Sequence, residues 1–181
     1  MDVFAAGEWA VATLPDGTQR LVQAGAGAPI DLGRFGRVSP AALTCCRRGL
    51  TYWLEGGRLR PMGAAEVLAL DANFYGADDA PADADNRGIE DSNSSQALST
   101  ADIEALKAAG TAGSSLVDAV VAHSATFGKR TALAQGKYVA RKRRKFLAYV
   151  RLEAAGLRSL VSYWQAREPR RVLGLRLDSL A

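Results

Sequence analysis

With 181 residues, 48% apolar and 23% charged, the chain can build one ordinary domain or two small ones around a real core. No apolar run reaches the roughly 18 residues of a membrane-spanning helix, and MDVFAAGEWAVATLPDG has no basic stretch ahead of an apolar one, so neither a membrane partner nor a secretory signal is expected. The net charge of +4 conceals an asymmetry: residues 66–104 carry ten acids against Arg87 alone, and 129–176 carry fourteen bases against Glu153 and Glu168, so the chain either has a basic surface for nucleic acid or an acidic partner, or its halves neutralise each other.

The first seventy residues read as short strands. In EWAVATLPDGTQRLVQAG, Trp9, Val11 and Thr13 alternate with small residues before the turn Pro15-Asp16-Gly17, and Leu21 and Val22 begin a return strand. GLTYWLEGGRLRPM repeats the device: Thr51 to Glu55 extended, Gly56-Gly57 turning, Arg58 to Arg60 returning. Between them, the glycines of IDLGRFGRV suit bends in a small barrel. The predicted class is α+β, with a small antiparallel β-barrel over 1–75, an acidic flexible linker over 76–98, and a helical basic region over 99–181.

Helix signals are sharper beyond the linker. Ser99 caps TADIEALKAA, with Asp102 three residues on and Gly110 closing it; Ser114 caps SLVDAVVAH, whose Leu116, Val117, Val120 and Val121 share a face. A third helix is predicted after Thr131. FLAYVRLE then alternates as a strand, with Phe146, Ala148, Val150 and Leu152 on one side, and LRSLVSYWQAR forms a short helix stopped by Pro169.

The residue types that carry catalysis are scarce. His123 is the only histidine, at a predicted helix end, where it more often offsets the dipole or is a buried polar group; without ligand-spaced partners or a nucleophile elbow it defines neither a metal site nor a serine triad. Cys45 and Cys46 are adjacent and the only cysteines, which precludes a disulfide framework and suits reduced thiols of the cytosol or nucleus. The glycine-rich AGAGAP (24–29) and GRFG (33–36) lack the strand–loop–helix setting of a nucleotide or S-adenosylmethionine site, so no cofactor is expected in this chain.

The basic run KYVARKRRKF is the densest feature. On a helix Lys137, Arg141, Arg144 and Lys145 form one stripe at i, i+4, i+7 and i+8, which Lys142 and Arg143 broaden. Tyr138 and Phe146 flank it, either packing inward or offering a ring to an unstacked base. Like charges four apart destabilise a helix by a few tenths of a kcal/mol each. Compensating the helix dipole needs one or two bases, not six. A nuclear-import patch remains open and is compatible with RNA binding; with the thiols it makes the nucleus the expected compartment.

Three stretches together resemble a known family. DNRGIEDSNSSQALSTADIEALKAAG, HSATFGKRTALAQGKYVARKRRKF and EPRRVLGLRLDSLA are similar, in order and spacing, to segments of the non-catalytic subunit of the eukaryotic tRNA (adenine-58-N1)-methyltransferase; GRFG and GLTYWLEGGRLRP match its N-terminal barrel more loosely. The resemblance implies a heterotetramer of two such subunits with two catalytic subunits, the latter binding S-adenosylmethionine and methylating N1 of an adenine in the T-loop. It implies that this chain helps bind and orient tRNA without catalysis of its own. By motif match, Lys129, Arg130, Lys137, Arg141, Lys142, Arg143, Arg144 and Lys145 become the candidate RNA contacts. The sequence departs from the family at Ala134 and Gly136, where Ser and Glu are usual, and it stops at Ala181, where the family continues into a Rossmann-like domain; a truncated product or fragment is the expectation. The alternative is a stand-alone RNA- or ribosome-associated adaptor with no methyltransferase partner.

Overall fold

Two tight turns set the first pairings. In the first, Asp16 Oδ1 accepts from Thr18 N at 3.0 Å and Gly17 takes a φ of 83°, so that β1 (Trp9–Thr13) folds back antiparallel on β2 (Gln19–Gln23), with Trp9 opposite Gln23. In the second, Gly56 and Gly57 both have positive φ (55° and 81°), the requirement of a two-residue hairpin whose twist matches its strands. The β3–β4 ribbon, β3 (Ile30–Asp31) with β4 (Arg37–Val38), and helix α1 (Pro40–Leu43), opened by its proline, lie between the hairpins in sequence. The second turn joins β5 (Thr51–Glu55) to β6 (Arg58–Pro61).

The computed structural model describes residues 2–71, 87, 89, 95–109, 111 and 113–179. Its central strand comes from late in the chain. Strand β7 (Tyr149–Ala154) inserts between the hairpins, antiparallel to both, with Val11 opposite Glu153 and Tyr52 opposite Val150. The five-stranded order is β2-β1-β7-β5-β6. Alternation buries Ala10, Ala12, Val22, Tyr52, Leu54, Val150 and Leu152 on one face, where Phe4, Leu32, Val38 and Leu43 complete the core.

The α+β class holds, whereas the predicted barrel is not closed. Edge strands β2 and β6 do not pair with each other among the described residues; apolar side chains of the β3–β4 ribbon and α1 pack against the sheet face instead. Two-residue strands are too short to carry the ladder around.

The compact units also differ from a linear division into 1–75, 76–98 and 99–181. One comprises Met1–Val67 with Ala148–Ala181, and the other Leu68–Leu147. The strand expected within 99–181, β7, belongs to the first sheet, and the helix at Leu157–Arg167 buries Val161 and Tyr163 in the same unit. Helix α2 (Ala64–Asp71), within the segment read as barrel, had no clear signal. Residues 76–86, 88 and 90–94 of the expected linker lie outside the described residues.

The second unit is built from α3 (Thr100–Ala108), α4 (Gly113–Ala122) and α5 (Ala132–Phe146); the helix at Leu157–Arg167 is then α6. The predicted cap of α3 is a reciprocal box: Asp102 N donates to Ser99 Oγ at 3.2 Å, and Asp102 Oδ2 accepts from Ser99 N at 2.9 Å. Helix α4 starts at Gly113, one residue before its expected cap. A Cβ there would lie 3.1 Å from Leu147 Cδ2 and 3.2 Å from Phe146 O, so the missing side chain lets α4 approach the end of α5. Leu116, Val117 and Val120 are buried, as their spacing requires. Residues 95–97, read as linker, are tied to the end of α4: Gln96 Nε2 donates to Val120 O at 2.9 Å and Ala97 N to His123 O at 3.0 Å.

Candidate nucleic-acid interface

Thr131 Oγ1 accepts from Ala134 N at 3.3 Å and so caps α5. Gln135 and Tyr138 are buried one turn apart, and Gln135 Nε2 donates to Arg130 O at 3.0 Å. The ladder ends where Leu147 N donates to Arg143 O at 2.8 Å and the chain turns extended. Arg143, Arg144 and Lys145 occupy the last turn, where the dipole favours cations.

With Tyr138 buried, the predicted stripe is accessible: Lys137, Arg141, Arg144 and Lys145 are all exposed on α5. Lys142 and Arg143 are half-buried on its flanks, and Arg143 Nη1 donates to Ala69 O at 2.9 Å. Lys129 is exposed at the end of a 3₁₀ turn, Phe127–Lys129, while Arg130 is half-buried with Nη2 3.0 Å from Thr126 Oγ1.

What gathers these cations is one ring, whose direction was open from the sequence. Tyr138 is 7% exposed and does not offer its face to a base. Arg130 Cζ, Arg141 Cζ and Lys142 Nζ lie 5.2, 5.7 and 4.9 Å from its centroid, and Phe127 packs at 5.6 Å with a 56° tilt. The negative face of the ring offsets part of the repulsion between cations from two segments. The one signal for this in the sequence was the recurrence of aromatic and basic residues through HSATFGKR and GKYVARK. Lys145 Nζ sits 5.3 Å from the Phe146 ring in the same manner.

Other candidate chemistry does not converge. His123 is exposed, its Nδ1 2.8 Å from Ala119 O; a carbonyl can only accept, so Nδ1 carries the proton. Among the described residues no group of three or more His, Cys, Asp or Glu side chains is placed to hold a metal ion, and no helix is long and apolar enough to cross a membrane. Cys45 and Cys46 are free thiols; burial pushes Cys46 up to about 11, away from the reactive thiolate.

Fold and site define a mixed α+β protein whose densest chemistry is a cationic helix face held out by an aromatic anchor. Residues 3–181 match the Gcd10p family, and the chain belongs to that family. It is similar to the tRNA (adenine(58)-N(1))-methyltransferase non-catalytic subunit of Mus musculus, 39% identical over 97 residues covering 54% of this chain and 20% of that protein. The protein of the same name from Dictyostelium discoideum is 33% identical over 97 residues, 54% of this chain and 19% of the relative. That of Debaryomyces hansenii is 24% identical over 202 aligned residues, 98% of this chain and 41% of the relative. The chain therefore spans only a part, from 19% to 41%, of the length of these relatives.

Proposed function

We propose that this chain is a non-catalytic, tRNA-binding part of a tRNA (adenine-58-N1)-methyltransferase complex, holding and orienting tRNA while a partner polypeptide binds S-adenosylmethionine and transfers the methyl group to the T-loop adenine. The observation that carries the RNA role is the outward stripe of Lys137, Arg141, Arg144 and Lys145 on α5. Lys129, Arg130, Lys142 and Arg143 extend the field on its flanks. Cations on a rigid helix suit a phosphodiester backbone, which positions an RNA without reading its sequence. The names of the relatives support the enzyme context, and a heterotetramer of two such subunits with two catalytic ones, working in the nucleus, is part of the proposal.

The test replaces Lys137, Arg141, Arg144 and Lys145 by glutamine and titrates a tRNA transcript over a range of salt. Removing four phosphate-binding cations lowers the log–log salt slope by about 3–4. Unchanged affinity and slope would remove RNA binding from α5. Co-expression with the catalytic subunit tests the second half: co-purification supports it, and failure at low salt with tRNA binding intact favours a stand-alone RNA adaptor.

A further inference from the structure

A separate set of cations lies on the sheet unit. All lysines of the chain fall within 68–147, so every positive side chain of this unit is an arginine. Arg20, Arg34, Arg37 and Arg58 come from segments that meet around the β3–β4 ribbon. Arg20, opposite Ala12 on β2, extends to the turn that joins the ribbon: a Cβ placed on Gly33 would lie 3.5 Å from Arg20 Nη2. Arg34, in that turn, pairs with Asp16 at 3.2 Å and lies over the Phe35 ring. Arg37 stands across the ribbon from Asp31, and its carbonyl abuts the β5–β6 turn, 3.3 Å from a Cβ placed on Gly57. Arg58 follows that glycine directly.

Compensation at this rim is incomplete. Asp16 is taken by Arg34, while Asp31, whose Oδ1 accepts from Gly33 N at 2.8 Å, keeps its charge and forms no ion pair with Arg37 opposite it among the described residues, so two carboxylates face four guanidinium groups. Arg20 forms no ion pair among the described residues, and its Nε has no hydrogen-bond partner among them. Arg37 and Arg58 are exposed and form no ion pair among the described residues. Arginine's planar fork matches phosphate oxygens better than an ammonium does. A lone carboxylate would satisfy one of these groups; a run of phosphates can satisfy several, since they stand on successive segments.

We infer that this ribbon rim, with Arg20, Arg37 and Arg58 as its uncompensated cations, binds the phosphodiester backbone of RNA. The inference rests on the RNA reading of α5 but concerns different residues on the other unit, so the two are separable. The experiment compares R20Q/R37Q/R58Q with K137Q/R141Q/R144Q/K145Q in the full chain, titrating a tRNA transcript at several salt concentrations, with thermal melts to verify folding. The rim variant lowers the salt slope by about 2–3, close to one for each phosphate no longer neutralised, and weakens unrelated RNA sequences alike. Should Arg20→Gln unfold the chain, R37Q/R58Q, which alters exposed side chains alone, still lowers the slope by about 2. An unchanged slope in the rim variants alongside weakened binding in the α5 variant overturns the rim and leaves the α5 reading standing; unchanged binding in both overturns both. Lost binding to polyglutamate with RNA binding intact assigns the rim to an acidic peptide and also overturns the inference.

Discussion

Replacing Tyr138 tests the idea that one buried ring makes the cationic helix tolerable. Its hydroxyl has no hydrogen-bond partner among the described residues, so Tyr138→Phe keeps the face and stays within about 0.5 kcal/mol of the parent. Tyr138→Leu keeps apolar burial but removes the ring's quadrupole. Three cations at 4.9–5.7 Å, at the exposed-site value of about 0.5 kcal/mol each, give roughly 1.5 kcal/mol. The Phe127 pair at 5.6 Å adds about 0.5–1 kcal/mol, so the expected loss is about 2 kcal/mol. With the ring gone, repulsion between Arg130, Arg141 and Lys142 is unmasked and added salt recovers part of the loss. The assay is urea denaturation followed by far-UV circular dichroism at low and high salt. Equal midpoints and equal salt response for the leucine and phenylalanine variants would refute the idea.

Two further predictions concern the sheet unit. Leu152→Ala removes a side chain 2% exposed on the central strand and lowers stability by about 2–5 kcal/mol, whereas Leu173→Ala, 92% exposed, stays within about 0.5 kcal/mol; denaturation midpoints distinguish them, and similar losses would contradict the placing of β7. Glu8 is held below its ordinary value of 4.5, first by the hydrogen bond it accepts from Arg48 Nη2 and then by that from Ala5 N. Its contribution is therefore full above 4.5 and is lost as pH falls through the lowered folded value. Glu8→Gln flattens the acid limb of a stability–pH curve, and an unaltered limb would show that Glu8 has no part in it.

Wherever neighbours within a few residues decide the geometry, the sequence was readable. Ser99 with Asp102, the Pro15-Asp16-Gly17 turn, the paired glycines 56 and 57, the span 157–167 of α6 and the outward stripe of α5 all follow from capping, turn chemistry or period. Pairing between distant segments was not. The alternation around Val150 and Leu152 announces a strand but not that it divides β1 from β5, because period fixes a strand's faces and says nothing of its neighbours. From that insertion come a discontinuous first unit and an open sheet in place of a closed barrel. Arg20 on its rim and the cations around Tyr138 were equally hidden, since they are collected from separate segments.

Local order along the polymer thus sufficed to reveal which helix turns its positive charges to solvent. Whether those charges, and the arginines of the ribbon, become concentrated surfaces was settled by long-range packing alone, because an electrostatic field sums over distance in space and takes no account of separation along the chain.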